Sequence, residues 1–196
     1  MRRRVVVASS NPGKLRELQA LLDVLGFDVV AQSEFGIVAA PEPYPTFVEN
    51  ALAKARHAAG IARLPAIADD SGICVAALAG APGVLSARLA GEPSDDARNN
   101  VELLRRLHGV DDRRAHYTCV VVALHNPDDP DPRIADGRWH GEVLTEPRGK
   151  HGFGYDPLFY IPSLGLSVAE LEPAQKNRIS HRALAIAELA RKLGNW

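Results

Sequence analysis

The chain is poor in sulfur, in aromatic residues and in lysine. Two cysteines, Cys74 and Cys119, stand among 196 residues, and their spacing fits neither a zinc site nor a disulfide framework. Both fall in apolar runs and read as buried free thiols, which suits a reducing compartment. No apolar run approaches the roughly 20 residues that span a bilayer. The charged start, Met1-Arg2-Arg3-Arg4, precedes only Val5 to Ala8, too short a stretch for a secretory signal. An excess of one charge sign is also missing: 23 Lys+Arg meet 24 Asp+Glu, for a formal net charge of −1. That balance argues against a nucleic-acid surface, though not against a small anion held in a cleft. What remains is the expectation of a cytoplasmic protein without membrane or nucleic-acid partners. It should form a single domain over 1–196, long enough to bury a core without staples.

Strand and helix signals alternate along the first half. Residues 4–8 read as a buried strand, and leucines at helical spacing follow through Leu25 until Gly26 ends the pattern. A second strand is expected over 27–31, and a proline-rich loop over 36–45. Thr46 and Glu49 form a T-x-x-E capping box that opens a helix to about Arg63. Residues 65–70 read as a short strand ending in two acids, with a turn at Gly72 and another strand behind it. Ser94-Asp95-Asp96 caps a helix to about Leu107. Residues 115–125 and 133–144 form a hairpin, a short strand and a short helix follow, and a last helix starts at Ser180. The pattern predicts an α/β fold with a mixed sheet.

Four places could carry chemistry. The turn Ser9-Ser10-Asn11-Pro12-Gly13-Lys14 joins a strand to a helix N-terminus, where backbone N–H groups and the helix dipole favour phosphate. It is not a Walker A loop, because Leu15 stands where a Ser or Thr would reach the metal. In Ala68-Asp69-Asp70-Ser71-Gly72, adjacent acids on a strand point to opposite faces, so one can work in a cleft while the other supports it. Such a carboxylate can hold Mg²⁺ or activate a water. In His151-Gly152-Phe153-Gly154-Tyr155-Asp156-Pro157, two glycines flank a ring that can stack on a ligand. In the segment from Lys176 to Arg182, His181 and Arg182 enter the first turn of a helix, where cations oppose the macrodipole unless an anion compensates.

These motifs occur in one order with T-F-V-E-N-A-L-A-K-A at 46–55 and G-A-P-G-V-L-S-A-R at 80–88. Together they resemble the inosine/xanthosine triphosphate pyrophosphatases, from about residue 4 to 193. The resemblance implies an elongated two-lobed α/β fold, with a central mixed sheet flanked by helices and a nucleotide cleft between the lobes. It implies Mg²⁺-dependent hydrolysis of ITP, dITP and XTP to the monophosphate and pyrophosphate, by a homodimer. Carried over residue by residue, Ser9 to Lys14 would cradle the triphosphate. Asp70 would be the proton acceptor and a metal ligand, with Asp69 assisting and Ser71 touching substrate. Phe153, Gly154, Tyr155 and Asp156 would hold the base, with Phe153 stacking. Lys176, His181 and Arg182 would read the base edge, the first and last matching a 6-oxo group, and bind phosphate or sugar. The family often has E-T-G before T-F; here Glu42-Pro43-Tyr44-Pro45 stands there, and Glu42 matches the metal-binding acid. Glu49 is a further candidate ligand whose capping role already explains it.

Two alternatives stay open: a pyrophosphatase for other modified nucleotides, and a non-catalytic nucleotide-binding module. Lysine scarcity bears on the choice of residues. Only five of the 23 basic residues are lysines, and Lys14, Lys54 and Lys176 fall inside the motifs, where a compact, flexible ammonium differs from a planar guanidinium.

Overall fold

The structure, a computed structural model, describes residues 2–194. Met1, Asn195 and Trp196, the ends of the expected 1–196 domain, lie outside the described residues. The elements are β1 (Arg3–Ala8), α1 (Pro12–Val24), β2 (Phe27–Ala31), α2 (Phe47–Ala62), β3 (Ala66–Val75), α3 (Asp96–Arg106), β4 (Arg114–Leu124), β5 (Arg133–Val143), β6 (Phe159–Ile161), β7 (Leu166–Ser167), α4 (Pro173–Ile179) and α5 (His181–Leu193). The strands form one seven-stranded sheet in the order β2-β1-β3-β4-β5-β6-β7. β1 pairs in parallel with β2 and β3, whereas β5–β6 and β6–β7 are antiparallel, so the sheet is mixed as the element pattern predicts.

Contacts divide the chain into two compact units. The first takes the residues up to Asp70, Cys119–Gly137 and those from His181 onward; the second takes Ser71–Thr118 and Arg138–Ser180. The first unit has a core on each face of its strands. Val5, Val7 and Ile67 point to the side of α1 and α5, against Leu18, Leu22 and Leu189. Val6, Ala8, Ala66 and Ala68 point to the other side, against Ala51, Ala55 and Ala58 of α2. This is strand alternation, and it fixes where the next two residues of β3 point. The second unit has its own core around Leu103, Tyr117, Trp139, Phe159 and Val168.

Three expectations are corrected. The segment 66–75 is one continuous strand, and Gly72 is not a turn. A Cβ at Gly72 would lie 2.3 Å from the Gly83 carbonyl oxygen and 2.4 Å from Ser86 Oγ, so glycine is there for close packing. Residues 76–78, expected at the end of the strand behind Gly72, form a 3-10 turn, as do 83–88 and, within the expected short helix near 167–171, residues 168–170. Ser180 does not begin a long helix from coil. It ends α4, a helix the sequence reading did not propose, and α5 follows at once. Cys119 is buried as expected, but Cys74 is only half-buried; both thiols are free. Among the described residues no helix is long and apolar enough to cross a membrane.

Candidate functional site

β1 ends at Ala8, paired with Ala68, so Asp69 and Asp70 lie just past the point where their neighbour strand turns away into α1. They sit in mid-strand rather than at the strand's end, yet at the end of the β1 pairing. The alternation set by Ile67 and Ala68 sends Asp69 to the α1/α5 side and Asp70 to the α2 side. Both are buried, at 1% and 3% exposure.

On the α1/α5 side, Arg182 Nη2 donates to Asp69 Oδ2 at 3.1 Å, and Arg182 Nη1 donates to Glu17 of α1. Lys14 Nζ lies 3.5 Å from the same Asp69 oxygen. Arg182 is 1% exposed. It was expected at the base edge; instead its terminal nitrogens are engaged by two acids inside the first unit, and these supply the anions that the first turn of α5 lacked. His181 beside it is buried too. α5 reaches this position because β5 has Gly137 under it: a Cβ there would meet the His181 carbonyl oxygen at 2.3 Å and the Ala185 nitrogen at 2.5 Å. Burial opposes charge on Asp69, but Lys14, Arg182 and Lys54 outweigh it and hold the carboxyl far below the usual carboxylate range.

On the α2 side, Asn50 and Lys54 stand one helical turn apart on the buried alanine face. Asn50 Nδ2 donates to Asp70 Oδ2 at 3.3 Å and to the Tyr44 carbonyl oxygen at 3.1 Å; Asn50 Oδ1 accepts from the Tyr44 N–H at 3.1 Å. Clamped at Tyr44, the proline-rich loop brings Glu42 Oε1 to 2.7 Å from Lys54 Nζ, which also donates to Asp70 Oδ1 at 3.2 Å. For Asp70 burial dominates and pushes its carboxyl above the ordinary 3.8. Lys54 and Lys14 oppose this, and Glu42 and Asp69 add to it. Lys54 keeps its proton: burial disfavours the charge, but Asp70, Asp69 and Glu42 more than compensate. Thr46 is the N-cap of α2: its Oγ1 accepts from the Glu49 N–H at 3.4 Å and donates to Glu49 Oε2 at 2.5 Å, so Glu49 serves the helix start.

The turn at 9–14 forms as the sequence predicts, with one change of role. Asn11 is the N-cap of α1, and its Oδ1 accepts from the Gly13 and Lys14 N–H groups at 2.8 and 3.0 Å. Those two amides are thus engaged within the turn. What the turn offers an anion is the helix dipole, with no acid in the first turn, and the Lys14 charge. Ser9 is half-buried and its Oγ accepts from the Asn11 N–H at 3.3 Å, while Ser10 and Pro12 are exposed.

In the second unit the 151–157 loop is organised from inside. Asp156, 2% exposed, accepts from the Phe153 N–H at 2.9 Å and from Lys176 Nζ at 2.6 Å. Tyr155 is a core residue whose hydroxyl donates to the Ser86 carbonyl oxygen at 2.7 Å. The Gly154 N–H donates to Asp96 Oδ2 at 2.7 Å, and its carbonyl accepts from Asn100 Nδ2 at 2.9 Å. Of the four residues expected to hold a base, only Phe153 presents a half-buried side chain, with Lys176 Nζ 4.5 Å from its ring centre. Ser71 is half-buried in the same unit.

Asn50 and Lys54 take up roles that the sequence did not assign, Lys54 being marked there only as a lysine inside a motif, and Glu17 was not expected at the site at all. The signal for the first two was present: two polar residues at i, i+4 within an otherwise alanine face of α2. Glu17 gave none, since a glutamate on an exposed-looking helix is ordinary.

The model of the Ham1 family matches residues 5–192. A protein of Ralstonia nicotianae named dITP/XTP pyrophosphatase is 60% identical over 194 residues, 97% of this chain and 96% of its own length. One of the same name from Burkholderia pseudomallei is 58% identical over 196 residues, 98% of this chain and 94% of its own. The solved structure of a HAM1 protein from Coxiella burnetii superposes with a TM-score of 0.90 at 47% identity, covering 99% of this chain and all of that one.

Proposed function

The chain belongs to the Ham1 family, and from that premise we propose that it hydrolyses non-standard purine nucleoside triphosphates (ITP, dITP and XTP) to the monophosphate and pyrophosphate. In doing so it removes deaminated purines from the nucleotide pool. The observation that carries the reading is the pair Asp69–Asp70. Two neighbouring acids have surroundings that push their proton affinities in opposite directions, which separates a permanent anion from a base.

Asp70, whose carboxylate binds a proton more readily than usual, takes the proton of the water that attacks the α-phosphorus. Asp69 stays charged and fixes Lys14 and Arg182. Lys14, at the N-terminus of α1, balances the charge of the departing pyrophosphate with the helix dipole. Arg182 is a positioning residue here, held by Glu17. In the second unit Phe153 stacks on the purine. Of the two cations expected near a 6-oxo group, Lys176 keeps that role, because it lies beside Phe153, and Arg182 does not. Tyr155 and Asp156 shape the loop and do not touch the base.

Mg²⁺ fits the residues present. Glu17, Glu42, Asp69 and Asp70 set against Lys14, Lys54 and Arg182 leave a net negative charge, and Mg²⁺ characteristically takes one or two carboxylates plus substrate phosphates. Among the described residues no cluster of three or more acid, histidine or cysteine ligands exists. Asp70 and Glu42 would hold the ion, which when bound supplies charge neutralisation at the phosphate oxygens. We further propose that the chain acts as one catalytic domain, in the cytoplasm, as a homodimer.

The test is product identity. Purified protein with dITP, XTP and the four ordinary deoxynucleotides should release pyrophosphate, not orthophosphate, from the first two by preference, and chelation with EDTA should stop it. Release of orthophosphate, or equal rates with dATP, refutes the reading. Nucleotide binding without turnover would make the chain a binding module.

A further inference from the structure

A cation of the chain itself stands where the metal is proposed to sit. Lys54 Nζ lies within hydrogen-bond reach of Glu42 Oε1 and of Asp70 Oδ1, and its side chain is 10% exposed. We propose that Lys54 is the resident counter-ion of this carboxylate pair: it keeps a bare divalent cation out and yields to a metal only when the metal arrives with a triphosphate. The inference rests on the reading of Asp70 and Glu42 as metal ligands.

Three observations support it. First, the ammonium and a metal need the same oxygens. Lys54 donates to one oxygen of each carboxylate, and a divalent ion placed there would face a positive charge at close range. Second, one ammonium bridges both acids. Glu42 and Asp70 meet at the same Lys54 nitrogen, at 2.7 and 3.2 Å, and two carboxylates brought that close to one point call for a cation between them. Third, the cation is the one that can move. A lysine has a flexible four-carbon stem, whereas the neighbouring guanidinium of Arg182 is fixed at both terminal nitrogens by Asp69 and Glu17. An incoming triphosphate brings the negative charge that a displaced ammonium requires. Metal occupancy is thereby coupled to substrate, and the base Asp70 is not exposed to a bound metal between turnovers.

The experiment uses the whole, nucleotide-free protein and Mn²⁺ as a paramagnetic probe, with bound ion read from the loss of the free-ion EPR signal. Lys54→Met should bind Mn²⁺ at least on the order of tenfold more tightly than wild type. Lys54→Gln keeps an N–H donor for both carboxylates without the charge, so it protects the fold and should shift in the same direction. Adding Asp70→Asn to Lys54→Gln should cancel the gain. Equal affinity in wild type and both variants, lost in each on Asp70→Asn, overturns the role of Lys54 and leaves the metal site standing. A gain that survives Asp70→Asn overturns the metal site itself. A second measurement needs no variant: the Lys54 side-chain ¹⁵N resonance of wild type should stay in place with Mg²⁺ alone and shift with Mg²⁺ plus pyrophosphate. A shift with Mg²⁺ alone refutes the proposal.

Discussion

Asparagine at position 69 and asparagine at position 70 should move stability in opposite directions, although the two sites are adjacent and equally buried. Asp69→Asn removes a charge that Arg182 and Lys14 both need. Breaking a buried pair on one side costs about 3–5 kcal/mol. Glu17 still faces Arg182, and the asparagine oxygen can still accept a hydrogen bond, so the lower end, about 3 kcal/mol, applies. For a chain of this size that lowers Tm by roughly 6–12 °C. Asp70→Asn removes a carboxylate whose ionisation burial already disfavours, while Lys54 retains Glu42. Its Tm should equal or exceed that of wild type, even as pyrophosphate release falls about 10²–10⁴-fold with the loss of the base. The sign can be checked against pH. An acid whose folded proton affinity is raised costs nothing below its unfolded value of 3.8, and costs progressively more as pH rises through the folded value. The Tm advantage of Asp70→Asn over wild type should therefore vanish near pH 4 and open as pH rises. Thermal unfolding by circular dichroism at several pH values, with pyrophosphate release in parallel, decides it. If both variants lose Tm equally, or if Asp70→Asn keeps near-wild-type turnover, the assignment of the two acids is wrong.

Three further outcomes follow from particular contacts. Phe153→Ala should raise KM for dITP roughly 5- to 150-fold, the value of one base stacked on an aromatic ring (about 1–3 kcal/mol), with little change in Tm. Asn50→Ala unclamps Tyr44 and leaves buried polar groups unmatched, so urea unfolding should show a loss of about 1–3 kcal/mol. It should also raise the Mg²⁺ concentration needed for half-maximal release, since Glu42 is no longer held in place. Gly72→Ala forces a methyl group against the Gly83 carbonyl and Ser86 and should cost about 1–3 kcal/mol, read as a lower midpoint of thermal unfolding at unchanged KM.

Much of the architecture was legible in local signals. The strands at 3–8 and 27–31, the capped α1 and α2, and the 114–143 hairpin all follow from hydrophobic period and caps, which act over a few residues. The strand at 66–75 was cut in two because a glycine after Asp-Asp-Ser reads as a turn. Whether Gly72 turns the chain or admits a neighbour depends on Gly83 and Ser86, which no local window contains. α4 was missed because its seven residues carry too few apolar positions for a period to show.

The candidate site divides the same way. From the sequence alone came the residue types in order: an anion-favouring turn with Lys14, two adjacent acids, a ring between glycines, and cations entering a helix. The sequence also determined that Asp69 and Asp70 face opposite sides, because alternation along a strand is a local property. Only the tertiary structure decided what each meets there. Arg182, expected at a base edge, phosphate or sugar, is buried against Asp69 and Glu17, because Gly137 lets α5 press onto β5. Tyr155 and Asp156, expected at the base, tie the loop to Ser86, to the Phe153 N–H and to Lys176. Lys54, marked in the sequence only as a lysine inside a motif, stands between the two carboxylates proposed to bind metal. Charge pairing of this kind joins residues far apart in the chain, and its energy depends on burial and distance, neither of which is written in the order of residues.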